Sequence, residues 1–534
     1  MTLVERPNPF RHSISVWTMM SLLLLSIRGT SGLVSRRVIS PSPFRQVAKQ
    51  GRAGYSTTTI SLKSTADAIE NPLSITSLGE ENRGGDGLPR IFLKRNRRTK
   101  SFRDGSQLVF TGSIGKTPES LPVGSLVQVE VAGQNKDSPT IVVGFGLYNP
   151  ASLYRVRIIF HCLLHPDITK HFLAMSNDSE DGDAMIIEKI LTMNFQRALQ
   201  TRRAIGLPSE SKTDTYRLVN GEGDSISGLA VDVIGNKIAV VMSSAAWCEI
   251  HKSTILKSLQ QTLPDHDLIW KTTPSRLKQD GFAVGDDDDI NDDEENKDKK
   301  PIDNIDEPVV CLENGIKYQT FPRQKGQKTS VYCDQRDNRL NLAQLCEGKK
   351  VLDLCCYHGG FSLNAVKHGA ALAVGVDSSA DAIETCKVNA GLNNFDNENI
   401  NFIKSDIAEY MKTCEDKFDV IVLDPPKLAP SATNLQRASR KYHSLNRDAI
   451  KLIDDKGGLF MTCTCSAAMT QKEGGKFFLE TVQQASIPAQ REVTLLRVSG
   501  AAACHTESPF SFPAGNYLTA ALFYVHPKLE SLDL

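Results

Sequence analysis

The sequence lacks several features that would assign it to a class at once. Its 534 residues carry 62 basic and 62 acidic side chains, so no excess of positive charge marks the chain as a nucleic-acid binder. None of its twelve cysteines forms a Cys-x-x-Cys pair, which argues against a zinc module and, with the length, against a disulfide framework. A chain this long exceeds one hydrophobic core, and about two to four domains are expected.

Acidic residues are absent from part of the N-terminus. From Arg28 to Thr65 there is no Asp or Glu, while basic residues lie among serines and threonines, as in a transit peptide. An apolar run from about Val16 to Ile27 precedes it and is typical of a signal peptide, being short for a membrane span. We expect residues 1–87 to be a targeting and disordered segment addressing a plastid with extra membranes, without stable membrane association after processing. A mitochondrial presequence and an uncleaved anchor are the alternatives.

Residues 88–165 carry short β-rich runs separated by Gly, Pro and Asn, which predicts a small β barrel or sandwich. The basic stretch Lys94–Lys100 enters this domain, and Arg155 and Arg157 alternate on one strand. Basic residues on a small β module suit contact with an RNA backbone. They are equally typical of a solvated sheet edge.

Residues 166–327 combine predicted strands with a helix over Glu249–Leu263, which indicates an α+β domain. Glu222 and Asp224 invite a metal hypothesis, but neither a His nor a third acid stands at ligand spacing, so turn and interdomain contacts are favoured. The acidic run 284–306 has too few apolar residues to order itself and is predicted to be a disordered surface insertion.

The dinucleotide pattern G-x-G-x-x-G is missing from a stretch that otherwise has the outline of a nucleotide-binding βαβ unit. The apolar run Val351–Phe361 includes the pair Gly359 and Gly360, and a second apolar run ends at Asp377. The glycines allow a tight turn, and an acid at a strand end can accept hydrogen bonds from ribose hydroxyls. Without a pyrophosphate to bind, this turn indicates S-adenosylmethionine.

Apolar strands continue to alternate with helices, so a doubly wound, mostly parallel sheet is expected, with Asp377, Asp406 and Asp424 at one edge. In Asp424-Pro-Pro-Lys427 the prolines end the strand in a rigid turn. Upstream, Asp334 is a candidate cap for a charged helix that begins near Arg336.

Two cysteines, Cys463 and Cys465, stand at a predicted strand end. Methylation of cytosine C5 requires a thiolate to add to C6, because C5 alone is a poor nucleophile. Methylation of a ring nitrogen or an exocyclic amine needs no thiol. Simple packing of these cysteines is the alternative.

Together these motifs resemble a family: the bacterial cytosine-C5 methyltransferases of large-subunit ribosomal RNA, with a PUA-like domain, a central domain and a Rossmann-like catalytic domain. The resemblance runs from about residue 90 to 528. The matching stretches are Lys328–Arg339, Val351–Asp353, Tyr357–Phe361, Val376–Ser378, Asp424–Lys427, Arg440 with Tyr442 and Asn446, Thr464–Ser466, Tyr148–Ser152 and Gly228–Asp232.

The resemblance implies a class I methyltransferase fold over residues 328–534, S-adenosylmethionine as cofactor, ribosomal RNA as partner and no metal. It implies that Cys465 is the nucleophile and that Cys463 is packing. Related enzymes carry a second cysteine after the motif's first proline, where this chain has Pro426, so another base must remove the C5 proton, and Asp424 is the candidate. The implied cofactor contacts are Gln335, Tyr357, Gly359, Gly360, Phe361, Asp377, Ser378, Asp406 and Asp424.

The chain departs from the family pattern in two motifs. His358 replaces the usual Thr or Ser of the glycine turn, and Ser106-Gln107 replaces a His-Pro-Trp sequence of the PUA-like domain. A guanine-N methyltransferase of ribosomal RNA and a non-catalytic RNA-binding assembly factor are the alternative functions. The sequence indicates no oligomeric state beyond allowing a dimer.

Overall fold

The computed structural model describes residues 87–529, except 95–100, 103–104, 119, 133–138, 179–180, 284–306, 324–330 and 430. Three predicted segments lie outside the described residues: the targeting segment 1–87 except its last residue, the acidic run 284–306, and the basic stretch Lys94–Lys100 except its first residue. Within the described ranges, no helix combines the length and apolar character needed to cross a membrane.

The N-terminal domain is a six-stranded sheet. Its strands are β1 (Arg90–Leu93), β2 (Leu108–Phe110), β3 (Ile114–Lys116), β4 (Leu126–Val131), β5 (Ile141–Tyr148) and β6 (Tyr154–His161). The sheet order is β2-β6-β5-β4-β1-β3, with β4, β5 and β6 paired antiparallel. Alternating Val and Ile side chains of these strands form a separate core, as the β-rich runs predicted.

The central domain begins with α1 (Pro166–Asp178) and α2 (Gly182–Ala204). Its sheet comprises β7 (Tyr216–Asn220), β8 (Leu229–Ile234), β9 (Ile238–Ser243) and β10 (Asp267–Thr272), in the order β10-β9-β8-β7. The single helix expected over Glu249–Leu263 is divided into α3 (Ala246–Ile250) and α4 (Lys252–Thr262). His251, between them, contacts the Gly124 carbonyl through Nε2 at 2.8 Å. Helix α5 (Pro274–Gln279) follows, then a hairpin of β11 (Val309–Glu313) and β12 (Ile316–Thr320).

The C-terminal domain is a seven-stranded sheet in the order β15-β14-β13-β16-β17-β19-β18. The five strands from β15 to β17 are parallel, and β19 is antiparallel to both of its neighbours. This confirms the predicted Rossmann-like class I fold. The elements are α6 (Arg336–Ala343), β13 (Lys350–Leu354), α7 (Gly360–Lys367), β14 (Leu372–Asp377), α8 (Ala380–Leu392), β15 (Ile400–Lys404), α9 (Ile407–Thr413), β16 (Val420–Leu423), α10 (Leu435–Lys451), β17 (Gly458–Thr464), α11 (Ala467–Gln471), α12 (Lys476–Ser486), β18 (Val493–Ser499) and β19 (Thr519–Val525).

Arg157 does not have either of the roles considered for it. Its side chain is buried, its Nη2 donates to Asp280 at 3.0 Å, and its Nη1 donates to Ser227 at 2.6 Å. Asn149 also donates to Asp280, at 3.2 Å. The phosphate-binding and solvated-edge interpretations of Arg157 are both wrong, because its charge is used internally to join the β domain to the central domain.

The acids Glu222 and Asp224 make turn and interdomain contacts. Asp224 is paired with the fully buried Arg202, whose Nη2 lies 2.8 Å from Asp224 Oδ2, and it accepts a hydrogen bond from Thr506 at 2.7 Å. Glu222 accepts one from Ser227 at 2.6 Å. The Asp224 contacts fasten the central domain to the segment between β18 and β19.

Candidate active site

The turn after β13 brings the backbone close to the cleft. Gly359 has a φ of +81°, and the non-glycine residues Cys355 and Tyr357 also have positive φ, of 65° and 49°. A Cβ on Gly360 would lie 2.7 Å from Arg339 Cδ, so only glycine fits against that side chain. The two non-glycine residues with positive φ are strained, and such backbone strain clusters at ligand sites.

Two carboxylates fix this turn from opposite ends. Asp377, at the end of β14, accepts hydrogen bonds from the amides of Tyr357 at 3.0 Å and Ser379 at 2.9 Å. Asp353, inside β13, accepts from the amide and hydroxyl of Ser362, at 3.0 and 2.8 Å. Burial raises the pKa of Asp353 to about 6. The ends of β13 and β14 are therefore held in one register.

Arg339 anchors the other side of the turn. Its Nε and Nη2 donate to the two oxygens of Glu313 at 2.7 and 2.8 Å, and Nη2 also donates to the Tyr332 carbonyl at 2.7 Å. Arg336 and Arg339 are both buried, so the charged start of this helix is not exposed to solvent. The ion pair between Arg339 and Glu313 connects the β11–β12 hairpin to the catalytic domain.

Asp424 lies where α6 meets the end of β16. Gln335 Nε2 donates to its Oδ2 at 3.0 Å, and Gln335 Oε1 in turn accepts from Asn338 at 2.7 Å. Burial and, to a smaller extent, the neighbouring Asp334 together raise the pKa of Asp424 to about 7. A carboxyl that titrates near neutral pH can accept or donate a proton in a reaction.

Asp334 does not cap α6. The helix follows Gln335, with no side-chain cap, and Asp334 Oδ2 accepts a hydrogen bond from the Tyr517 hydroxyl at 2.7 Å. The cap predicted for Asp334 is therefore wrong. The capping pattern is instead realised at Asp406, which accepts from the amides of Ala408 and Glu409, at 2.8 and 3.1 Å, to begin α9.

The two cysteines of β17 differ in their surroundings. Cys463 is fully buried, and burial raises its pKa well above the usual value. Cys465 is partly exposed and lines the cleft. Tyr442 and Thr464 share a hydroxyl hydrogen bond of 2.8 Å, and this contact holds the strand end that carries Cys465.

These groups border one cleft of about 1780 Å³. All of the predicted cofactor residues except Gly359 line it, and so does Cys465. The cleft extends to the central domain and to Ser152 and Tyr154 of the β domain. Of the described residues, no group of His, Cys, Asp and Glu is arranged to hold a metal ion.

Sequence reasoning missed Tyr332. Its ring is 45% exposed in the cleft and meets the Tyr357 ring edge to face at 5.0 Å. Tyr357 stacks on His358, with centroids 3.7 Å apart. Burial raises the pKa of Tyr332, and Asp334, Cys465 and Asp424 add to it. An aromatic residue beside the Cys333-Asp334-Gln335 motif was the available signal.

Comparisons with known proteins agree with this architecture. A family model of PUA-like domains matches residues 91–160, and one of methyltransferase domains matches residues 345–494. A ribosomal RNA large subunit methyltransferase I from Escherichia coli O1:K1 / APEC is 28% identical over 426 residues, covering 79% of this chain and 96% of its own. The protein of the same name from E. coli strain K12 / MC4100 / BW2952 has the same identity and coverage.

Among solved structures, one described as a methyltransferase complexed with SAH has a TM-score of 0.60 at 20% identity and covers 82% of this chain and 99% of its own. A structure described as a SAM-dependent methyltransferase from Streptococcus mutans has a TM-score of 0.59, also at 20% identity, with the same coverage. At such identities the likeness concerns the fold. The chain thus combines a PUA-like domain with a class I methyltransferase domain whose cofactor is S-adenosylmethionine.

Replacement of Asp377 by Ala should weaken S-adenosylmethionine binding at least about tenfold, because the variant loses the carboxylate that holds the Tyr357 amide and that is expected to accept hydrogen bonds from the ribose. Isothermal titration calorimetry measures the change. Asp381→Ala, at an exposed position in the first turn of α8, is the matched control and should bind normally. Equal affinities for the two variants would contradict this role of Asp377.

Proposed function

We propose that this protein transfers a methyl group from S-adenosylmethionine to C5 of a cytosine in large-subunit ribosomal RNA, with Cys465 as the nucleophile. The observation that carries the proposal is the placement of a partly exposed Cys465 in the cleft that the glycine turn and Asp377 border. The substrate class is supported by the relatives named for the ribosomal RNA large subunit. The PUA-like domain is consistent with an RNA substrate.

The Cys465 thiolate would add to C6 of the cytosine, which makes C5 nucleophilic. C5 then takes the methyl group from the sulfonium, leaving S-adenosylhomocysteine. Loss of the C5 proton and release of Cys465 from C6 restore the aromatic ring. We assign the removal of that proton to Asp424; this is supported by its carboxyl lining the same cleft and having a pKa near neutrality.

Tyr332 supports a flat ring as substrate. Its partly exposed ring and the Tyr357 ring form an aromatic corner beside the cofactor turn. A base removed from its stack is held by such surfaces. Tyr332 would therefore lie against the cytosine while Cys465 adds to C6.

The two alternative functions make different demands on the same cleft. A guanine-N methyltransferase would use the glycine turn and Asp424-Pro-Pro-Lys427 and would leave Cys465 without a task. A non-catalytic assembly factor would need neither the strained turn nor a carboxyl that titrates near pH 7. The difference between Cys463 and Cys465 favours the thiol mechanism over both.

Cys465→Ala should reduce methyl transfer to background while S-adenosylmethionine binding is retained, because the variant lacks only the group that activates C5. Nucleoside digestion and mass spectrometry of the RNA product would detect 5-methylcytidine with the unaltered protein. Cys463→Ala is the matched control and should remain active, since Cys463 is fully buried in β17 and does not line the cleft. Retained methylation by Cys465→Ala, or methylguanosine as product, would rule out the proposed chemistry.

Asp424→Asn should flatten the pH dependence of stability. The folded-state pKa of Asp424 is raised from 3.8 to about 7, so its neutral form stabilises the fold fully below about pH 4, and this contribution disappears as pH rises through 7. Urea unfolding from pH 4 to 8 should show a smaller loss for the Asn variant than for the parent, with Asp381→Asn as control. Parallel curves would show that Asp424 does not titrate in this range.

We also propose that the first part of the chain directs the protein to an organelle, a plastid rather than a mitochondrion, on the basis of the apolar run followed by the acid-free segment. A fluorescent protein fused to about the first 70 residues should accumulate in the plastid. Fusion to the chain from residue 87 onward is the control and should remain outside it. A diffuse cytosolic signal from the first fusion would refute the targeting proposal.

A further inference from the structure

The two sides of the active-site cleft differ in charge. The catalytic domain contributes the acids Asp334, Asp377, Asp406 and Asp424 to the lining. Those carboxylates repel phosphate groups, so an RNA backbone needs positive charge elsewhere along the cleft. The central domain supplies it from β10, α4 and α5.

Three of the cleft's arginines are already neutralised by internal carboxylates. Arg157 is paired with Asp280, Arg217 with Asp232 and Arg339 with Glu313. All three acids are buried. These arginines hold the domains and strands together, and an RNA phosphate would have to displace a buried partner to reach them.

Among the other cleft-lining residues of the central domain, Arg323 is paired with Asp267. Lys252, Lys271 and Arg276, together with Trp270, form a surface here called the basic wall. Lys252 begins α4 and holds its Nζ 5.7 Å from the centroid of the Trp270 ring. Trp270 and Lys271 belong to β10, the edge strand of the central sheet, and Arg276 is exposed on α5. All four line the cleft.

The catalytic domain adds two lysines to the lining of the cleft, Lys427 of the Asp424-Pro-Pro-Lys427 motif and Lys441 of α10. Both are exposed. An RNA strand bound by both the basic wall and these lysines would lie along the same cleft that Cys465 lines.

We propose that the basic wall binds an unpaired RNA segment next to the target nucleotide, with Lys252 and Arg276 on its phosphates and Trp270 against a base. This inference rests on the proposed function, for which it specifies the form of the substrate. Alternating cations and aromatic rings are the usual surface for single strands, because every base offers a face for stacking. An A-form duplex, whose bases are stacked inside, presents no free base face to a lone tryptophan.

The charge contribution is tested with two substitutions on one short helix. Arg276→Ala and Lys278→Ala each remove one positive charge from an exposed residue of α5, but only Arg276 lines the cleft. Binding of a fluorescein-labelled 15-nucleotide single-stranded RNA to the full chain is measured by anisotropy between 50 and 200 mM salt. Arg276→Ala should weaken binding several-fold and lower the slope of log K against log salt by about 0.7, whereas Lys278→Ala should change neither.

The stacking contribution has a spectroscopic test. The chain has three tryptophans, and Trp247 is buried with its indole N–H bound to the Ser227 carbonyl. In a Trp17→Phe background, only Trp247 and Trp270 report. The single-stranded RNA should quench the fluorescence, and Trp270→Phe should abolish the quenching. A hairpin containing the same nucleotides in base pairs should bind more weakly.

The outcomes separate this inference from the proposed function. If the unaltered protein forms 5-methylcytidine but Arg276→Ala and Lys278→Ala bind RNA equally, RNA binding by the basic wall is refuted and the proposed function stands. If Arg276→Ala alone loses RNA affinity but the product is not 5-methylcytidine, the proposed function is refuted and RNA binding by the basic wall is supported. Tighter binding of the hairpin, or quenching that persists in Trp270→Phe, would overturn the single-strand assignment.

Discussion

The buried ion pair between Arg339 and Glu313 is the contact on which the site depends. It joins the β11–β12 hairpin to α6, holds the Tyr332 carbonyl and places the Arg339 side chain against Gly360. Removing one member of such a pair typically costs about 3 to 5 kcal/mol, because a charge is left buried without a partner. The pair therefore determines where the glycine turn and the start of α6 lie relative to each other.

From this pair the geometry extends to the reacting groups. Helix α6 begins directly after Gln335, so the position of the helix sets the hydrogen bond from Gln335 to Asp424. The same bond couples the cofactor side of the cleft to the motif that follows β16. The two reacting groups differ in burial. Burial raises the pKa of Asp424 to near 7, whereas Cys465 stays partly exposed in the same cleft.

The domains are joined by charges that look like surface charges in the sequence. Arg157 pairs with Asp280 between the β domain and the central domain. Arg202 and Asp224 form a buried pair inside the central domain, and both contact the segment between β18 and β19, at Cys504 and Thr506. Because Arg157 and Arg202 are buried and paired, the β domain and the central domain carry less positive charge on their surfaces than their composition suggests. The net charge of the whole chain, +0, conceals this division between paired and cleft-lining cations.

The sequence alone determined the class I fold, the cofactor turn and the motif at Asp424, because strand periodicity, glycine and proline act locally. It also singled out Cys465, although only by resemblance. Only the tertiary structure decided which charges are buried, as Arg157, Arg336 and Arg339 are. It also decided that Asp334 accepts a hydrogen bond from Tyr517 instead of capping α6, and that Tyr332 lines the cleft. Their partners lie far away in sequence, so local patterns carry no record of them. Burial and pairing depend on how the domains meet, and this is the physical reason that only the folded chain distinguishes an anchoring arginine from one that is exposed in the cleft.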